Sequence, residues 1–198
     1  MLFNVAEQKW SEEMFNLFGI ERSLFPEVTK SAEVIGKVTK EAAKKTGIPE
    51  GTPVINGCAD QAATSLGAGM VNRGQVTAII GTAGVVSVLS DRAAADPENR
   101  VLCWNYCLED RWINLGIMQT AGESLKWFKN AFDQDLDNVY QKYNQKAAEI
   151  IEGSEGLIFL PYLMGERTPY WDSDARGVFF VLNLKHKKYH FVRAIMEG

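Results

Sequence analysis

Two short runs rich in β-branched residues, Val76–Ile80 and Val85–Leu89, are separated only by the four residues Gly81–Gly84. Runs of this composition are typical of β-strands, and so short a connection between them favours an antiparallel hairpin. Two more strand-like runs, Val101–Cys107 and Trp112–Met118, follow with a polar turn between them. The pattern therefore predicts a β-meander in the middle of the chain.

Helical and strand-like segments alternate on both sides of this meander. Capping residues and apolar periodicity predict helices after Ser11 and over Thr39–Thr46, Gln61–Met70, Ala121–Phe132 and Leu136–Ile151. Short apolar runs predict buried strands at Val54–Ile55 and Leu157–Leu160. Such an alternation predicts an α/β layer structure.

Both ends of the chain indicate a longer natural protein. The strand-like residues Leu2–Val5 begin without an evident pairing partner, and the helical pattern of His190–Gly198 stops after about two turns. We therefore expect this chain to be part of a larger polypeptide.

Composition narrows the class of protein. The 198 residues are 46% hydrophobic, which is enough for a buried core in one large domain or in portions of two. The 21 basic and 25 acidic residues form no long run of either sign, which argues against a nucleic-acid partner. No apolar segment approaches membrane-spanning length and the first residues do not resemble a signal peptide, so we expect no membrane partner and a cytoplasmic location.

The cysteines and histidines bear on disulfide and metal chemistry. Three cysteines are an odd and sparse set for a chain of this size, which predicts reduced thiols. Cys103 and Cys107, followed by His186 and His190, have a superficially zinc-like spacing, but the gap between the two pairs is far too long for a zinc finger. We therefore assign no metal to these residues.

Four separated motifs resemble those of the FGGY carbohydrate kinase family. The motifs are Asn56–Ala63, Ile80–Gly84, Thr120–Ser124 and Gly165–Gly177. Their order and spacing are also similar to the family's, and the likeness covers nearly the whole chain. Within the family, the chain looks most like the kinases that act on D-xylulose.

The resemblance implies an α/β, ribonuclease H-like (actin-like ATPase) fold, with parts of two domains that flank a cleft. It implies that residues 1–73 are the C-terminal part of the first, sugar-binding domain and residues 74–198 the N-terminal part of the second, nucleotide-binding domain. It also implies ATP and Mg²⁺ as cofactors, with the principal protein ligand of Mg²⁺ expected N-terminal to this chain. Val181 stands where the family usually has a glycine, a residue that indicates tight backbone geometry or close packing.

Asp60 is the predicted catalytic residue. It follows an apolar strand and opens a helix, and the dipole of that helix favours the ionised carboxylate, which can accept a proton. On the residues alone, a simple helix cap is the favoured interpretation of this aspartate. The resemblance implies that Asp60 contacts the sugar and acts as the base of phosphoryl transfer, with Gln61 as a neighbour that hydrogen-bonds a sugar hydroxyl.

A second group of residues is predicted to bind the nucleotide. The glycine-rich connection between the two strands offers backbone N–H groups and the Thr82 hydroxyl, which suit phosphate oxygens. A hairpin turn alone would explain these glycines equally well. The resemblance implies that Gly81, Thr82 and Gly122 bind ATP and that Lys126, one helical turn after Gly122, faces the same side. A solvated surface lysine is the alternative reading of Lys126.

The long polar segment Gly165–Gly177 is predicted to be a loop. A guanidinium group of Arg167 or Arg176 could pair with a carboxylate, such as that of Asp172, and hold the loop in place. We expect an architectural role for these side chains.

The expected function is ATP-dependent phosphorylation of a sugar, with the terminal hydroxyl of D-xylulose as the preferred acceptor. Gluconate, glycerol or another polyol remain open as substrates. A second class of function is that of a non-catalytic fragment, which binds nucleotide or self-associates, for example as a homodimer through unpaired strand edges. An actin-like ATPase is a third class, which the motifs around Asp60 and Arg167 disfavour.

Overall fold

The computed structural model describes residues 2–134 and 137–198, which form a mixed α/β chain. The strands are β1 (Phe3–Asn4), β2 (Lys9–Trp10), β3 (Val34–Lys37), β4 (Pro53–Ile55), β5 (Val76–Ile80), β6 (Gly84–Ser90), β7 (Leu102–Asn105), β8 (Trp112–Met118), β9 (Ile158–Leu160) and β10 (Val178–Phe180). The α-helices are α1 (Glu12–Phe18), α2 (Lys40–Thr46), α3 (Asp60–Gly67), α4 (Gly122–Phe132), α5 (Val139–Ala148) and α6 (Lys188–Glu197). Within the described ranges, the helices are too short or too polar to span a lipid bilayer.

The chain divides into two compact units by its internal packing. The first unit comprises Met1–Thr77, Ser87–Pro97 and Leu102–Leu115, and the second comprises Ala78–Val86, Glu98–Val101 and Gly116–Gly198. These units are defined by packing and are not the two domains of the family resemblance. The predicted domain boundary between residues 73 and 74 therefore stays a prediction.

Local capping chemistry sets the ends of the first two helices. The Ser11 hydroxyl accepts the Met14 N–H at 3.3 Å, and α1 ends at Gly19 in the left-handed conformation. At the start of α2, the Thr39 hydroxyl accepts the Ala42 N–H at 3.2 Å, and this helix also ends at a left-handed glycine, Gly47. Both predicted helices are confirmed.

The predictions for the early strands were wrong in two respects. Strand β1 does have a partner, because the chain reverses after Asn4 and β2 pairs with it antiparallel. Strand β4 exists but is not buried, since Val54 is 39% and Ile55 57% exposed. Strand β4 pairs with β3 in a two-stranded sheet, and the described residues supply no further strand that would cover these side chains.

The four predicted strands are confirmed, but the predicted meander was wrong, because β6 lies next to β8 and not next to β7. Strands β5 to β8 form a four-stranded sheet in the order β5-β6-β8-β7, and β7 pairs antiparallel with β8 so that Cys103 lies opposite Asn114. The helix predicted after the meander is α4. The next helix is shorter than expected: α5 spans Val139–Ala148, and Leu136, where the prediction began, lies outside the described residues.

Three helices and one strand enclose the core of the second unit. Helix α6 packs on α4, α5 and β9. The buried core side chains are Phe128, Val139, Tyr143, Ala147, Leu157, Phe159, Val192, Ala194 and Ile195. Strand β9 buries only Phe159, because its alternate residues Ile158 and Leu160 point to the uncovered face. The prediction that this strand is wholly buried was therefore wrong.

A buried carboxylate links the end of α4 to α5 and α6. Asp133 is 5% exposed and accepts hydrogen bonds from the Tyr143 hydroxyl at 2.6 Å and from the Lys188 ammonium group. Burial opposes ionisation, but the hydrogen bonds from Lys188 and Tyr143 outweigh it and hold the pKa of the Asp133 carboxyl below its ordinary value near 3.8.

Replacing Asp133 by alanine is expected to destabilise the chain by about 1–3 kcal/mol at neutral pH, because the buried Tyr143 hydroxyl loses its acceptor. A carboxyl whose folded-state pKa is lowered stabilises the fold above its unfolded-state pKa. The difference between wild type and variant should therefore shrink as the pH falls below about 3.8. Urea unfolding of both proteins at several pH values measures this difference in the free energy of unfolding. The exposed Asp137→Ala is the control, and an equal loss in both variants would contradict the role of Asp133.

Val181 adopts a backbone conformation that suits glycine. Its φ is +63°, in the left-handed region, where a β-branched residue is strained by about 1–2 kcal/mol. The family's glycine at this position indicated tight backbone geometry. Val181 adopts such a geometry although it is not glycine. Its side chain is 53% exposed, so packing compensates for little of the strain.

Replacing Val181 by glycine is therefore expected to stabilise the chain by up to about 1 kcal/mol, since the relief of strain exceeds the backbone entropy that glycine loses. Val178→Gly is the matched control, because Val178 is similarly exposed but lies within β10 without a positive φ. It should destabilise by roughly 0.5–1 kcal/mol. Chemical denaturation curves compare the two, and destabilisation by Val181→Gly would show that the valine side chain matters more than its φ.

Candidate functional site

Asp60 is the first residue of α3 and lies at the protein surface. Its Oδ1 accepts the N–H of Gln61 at 2.7 Å. The N-cap position belongs to Ala59, which has no side-chain acceptor, so the alternative of a simple N-cap is wrong in detail although the carboxylate does bind one N–H of the first turn. An exposed carboxylate retains lone pairs that can accept a proton.

Gln61 lies beside Asp60 and is half-buried. Its Oε1 is buried and has no hydrogen-bond partner among the described residues. Buried polar atoms are nearly always paired, so an unpaired amide oxygen next to a candidate catalytic carboxylate is unusual.

Several contacts within the first unit hold α3. The hydroxyls of Ser65 and Thr77 lie 3.1 Å apart, and the Tyr106 hydroxyl donates to the Met70 carbonyl at 2.9 Å. The Cys107 thiol lies 3.8 Å from the Ala62 carbonyl oxygen, in the first turn of the helix. These contacts anchor the helix that carries Asp60, while Asp60 itself remains exposed.

The structure brings Gly81, Thr82 and Gly122 together in the second unit. The Gly122 N–H donates to the Gly81 carbonyl at 2.9 Å, and the Ala121 N–H donates to the Thr82 carbonyl at 2.9 Å. A Cβ at position 122 would lie 2.6 Å from the Gly81 carbonyl oxygen, closer than real Cβ atoms come to backbone. Only glycine at this position allows the start of α4 to approach the hairpin turn so closely.

These hydrogen bonds also decide which donors remain in the turn. The Gly81 N–H donates to the Ala83 carbonyl and the Gly122 N–H to Gly81, so neither is free for a ligand. Within residues 2–134 and 137–198, the N–H groups of Thr82 and Ala83 have no partner, and Thr82 is exposed. The sequence did not indicate this division of donors. It leaves the backbone N–H and hydroxyl of Thr82 as the groups best placed to bind an anionic oxygen.

Lys126 lies one helical turn after Gly122, as expected. Its ammonium group pairs with the Glu123 carboxylate at 3.2 Å, and the Lys126 side chain is 58% exposed. The Glu123 N–H in turn donates to the Thr82 carbonyl at 3.3 Å. Lys126 is therefore connected to the turn through Glu123, in the manner of a surface ion pair.

The loop Gly165–Gly177 is held differently from the sequence expectation. In the described part of the chain, neither Arg167 nor Arg176 forms an ion pair with a carboxylate. The Arg167 guanidinium lies over the Trp171 ring at 5.5 Å, and Arg176 donates to the carbonyls of Ser173 and Ala175. The predicted salt bridge was wrong, because backbone carbonyls and an aromatic face lie within reach of these side chains.

Two buried polar residues of this region were not singled out from the sequence. Glu166 is buried and its Oε1 accepts N–H groups from Gln119 and Arg167, at 3.3 Å and 2.6 Å. Thr120 is buried and its hydroxyl donates to the Pro161 carbonyl. Both lie within the recognised motifs, but nothing in their spacing distinguishes a buried acceptor from a surface one.

Metal-ligating side chains do not converge in the part of the chain that the structure describes. No group of three or more His, Cys, Asp or Glu side chains there could hold a metal ion. The rings of His186 and His190 lie 5.5 Å apart, and the three cysteines are free thiols.

Comparisons with known proteins identify relatives over the full chain. It is 35% identical over 201 residues to the xylulose kinase of Lactococcus lactis subsp. lactis and 31% identical over 206 residues to the gluconokinase of Bacillus subtilis. All of this chain is covered in both cases, but only 39% and 40% of the two relatives. The chain thus spans about two fifths of the length of the curated relatives it matches.

Solved structures show the same relationship. The xylulose kinase of Lactobacillus acidophilus superposes with a TM-score of 0.91 at 28% identity, over 100% of this chain and 40% of that protein. The gluconate kinase of the same species gives 0.91 at 29% identity, with the same coverage. These matches confirm the α/β, ribonuclease H-like (actin-like ATPase) fold class. Residues 1–67 match the N-terminal domain of the FGGY family of carbohydrate kinases, and residues 76–198 match its C-terminal domain. The chain belongs to the FGGY family of carbohydrate kinases.

Proposed function

We propose that the protein containing this chain transfers the γ-phosphoryl group of ATP to a sugar hydroxyl, with the terminal hydroxyl of D-xylulose as the preferred acceptor. The observation that carries the proposal is the exposed carboxylate of Asp60 at the start of α3, in a chain whose family is that of carbohydrate kinases. Phosphoryl transfer depends mainly on alignment of the reactants, neutralisation of charge and a group that accepts the hydroxyl proton.

Asp60 is the proposed proton acceptor. As the sugar oxygen forms its bond to phosphorus and the bond from phosphorus to the ADP oxygen breaks, the hydroxyl proton moves to the carboxylate. Gln61, the next residue of the helix, is the proposed neighbour that hydrogen-bonds a sugar hydroxyl through its side-chain amide.

The Thr82 turn is the proposed phosphate-binding element. The Thr82 backbone N–H, which has no partner in the described part of the chain, and the exposed Thr82 hydroxyl are donors suited to phosphate oxygens. Gly81 and Gly122 contribute by shaping the turn, and Lys126 contributes positive charge from the next helical turn. Mg²⁺ bound with ATP supplies further charge neutralisation, with its principal protein ligand expected outside this chain.

D-Xylulose is proposed because relatives named xylulose kinase recur across several bacteria, for example in Lactococcus lactis and Bacillus subtilis. Gluconate is the second candidate, since the gluconokinase of Bacillus subtilis is 31% identical. The names belong to those proteins, and the substrate of this one is decided by assay.

The test is ADP release by the whole protein with D-xylulose, D-gluconate, glycerol or no sugar. Turnover that requires D-xylulose and yields the 5-phosphate supports the proposal. Equal turnover without sugar would instead indicate an ATPase, and preference for gluconate would replace the substrate. Nucleotide binding without turnover in any mixture would favour the non-catalytic alternative.

A further inference from the structure

A partly exposed segment, with Pro161, Gly165 and Glu166 buried, braces the stretch that leads into α4. We call residues 161–172 the brace segment. It contacts three positions at and after the end of β8: the Thr168 N–H donates to the Ile117 carbonyl at 3.1 Å, Glu166 Oε1 accepts the Gln119 N–H at 3.3 Å, and the Pro161 carbonyl accepts the Thr120 hydroxyl. The chain then passes directly to Gly122, which contacts Gly81.

Glu166 is the centre of the brace segment. It is 6% exposed, and its own backbone N–H and carbonyl both pair with Asp172, at 2.8 Å and 3.0 Å. These two bonds fix the backbone from which the side chain projects. Its Oε1 then accepts the N–H groups of Arg167 and Gln119, so one oxygen ties the brace segment to the strand end.

The choice of a carboxylate here is not explained by charge pairing. Among the described residues, no Lys, Arg or His lies within ion-pair distance of Glu166. Burial of a carboxylate without a cation is unfavourable unless hydrogen bonds satisfy it, and here backbone N–H groups do so. The length of the glutamate side chain matters for this arrangement, because its oxygen must reach the Gln119 amide.

We propose that Glu166 is a positioning residue for the phosphate-binding turn. By holding the Gln119 amide, it fixes the path of residues 119–122, which sets Gly122 against Gly81 and so shapes the Thr82 turn. Glu166 does not touch the reactants, and its effect reaches them only through the backbone. The inference rests on the proposed function for its effect on ATP, but its effect on the backbone can be measured separately.

Three substitutions of Glu166 in the whole protein distinguish the effect of side-chain length from the effect of side-chain charge. Glu166→Gln keeps an oxygen acceptor at the same distance and should leave the KM for ATP within about threefold of wild type. Glu166→Asp keeps the charge but shortens the side chain by one methylene, and Glu166→Ala removes the acceptor. Both should raise the KM for ATP about tenfold or more, as expected when backbone donors lose their acceptor, and change the KM for the sugar less than about threefold.

Hydrogen exchange of the Gly122 N–H gives a second readout that does not require activity. This amide donates to Gly81, and its exchange should accelerate about tenfold or more in Glu166→Asp and stay near wild type in Glu166→Gln. Asp174→Ala, an exposed substitution in the neighbouring loop, should change neither readout. If Glu166→Ala does not fold, the aspartate and glutamine variants still decide the question.

The proposal would be overturned by unchanged Gly122 exchange in Glu166→Asp. An equal rise in the KM values of ATP and sugar would also overturn it, since that result indicates a general loss of structure. If the wild-type protein shows no sugar-dependent turnover, the proposed function fails, whereas the exchange measurement still tests the positioning role by itself.

Discussion

Replacing Asp60 by asparagine in the whole protein is expected to lower kcat for sugar phosphorylation on the order of 100- to 10,000-fold. Asparagine keeps the size of the side chain and a hydrogen-bond acceptor for the Gln61 N–H, but it cannot take up the hydroxyl proton. The KM for ATP should change little, because Asp60 is not among the residues proposed to bind the nucleotide. Steady-state ADP release at saturating sugar and ATP measures the effect.

Glu41→Gln is the matched control for Asp60→Asn. Glu41 also lies exposed in the first turn of a short helix of the first unit, where it pairs with Lys45. Loss of either first-turn charge should cost no more than about 0.3–1 kcal/mol of stability, so both variants should remain folded. A kcat for Asp60→Asn within threefold of wild type would exclude Asp60 as the base.

Replacing Gly122 by alanine is expected to destabilise the chain by about 1–3 kcal/mol and, in the whole protein, to raise the KM for ATP at least tenfold. The new Cβ would lie 2.6 Å from the Gly81 carbonyl oxygen. Because that atom is backbone rather than a flexible side chain, the turn or the start of α4 must move. Such a movement breaks the hydrogen bond from Gly122 to Gly81 and displaces Thr82.

Gly116→Ala is the control for Gly122→Ala. Gly116 lies in β8, and a Cβ there meets only the Thr168 methyl group, at an ordinary 3.6 Å. This variant should be nearly neutral in urea unfolding and in the KM for ATP. Similar losses from both substitutions would mean that the close approach at Gly122 is not special, and the proposed shaping of the Thr82 turn would lose its support.

Features that depend on neighbours along the chain were predicted well. The caps at Ser11 and Thr39 set the starts of two helices, and left-handed glycines set their ends, because these interactions span three to five residues. The hairpin around Gly81–Gly84 followed from strand composition and a short connection. Such local preferences are decided by backbone sterics and by hydrogen bonds within one turn.

Features that depend on distant segments were predicted less well. An apolar run identified β4 as a strand but could not show that its side chains remain exposed. The predicted carboxylate partners of Arg167 and Arg176 were also wrong, because long cationic side chains bind whichever acceptors the folded loop presents. Burial and partner choice depend on which elements pack together, and a linear pattern contains little of that information.

The sequence by itself determined the fold class, the family and the residue types available for chemistry, because motifs such as those around Asp60 and Thr82 consist of neighbouring residues. Only the tertiary structure decided which atoms are free to act. It showed the Gly81 and Gly122 amides already paired, the Thr82 amide without a partner among the described residues, and the Glu166 carboxylate buried against the end of β8. The physical reason is that a hydrogen-bonding group is available to a ligand only if no other segment of the fold has satisfied it first.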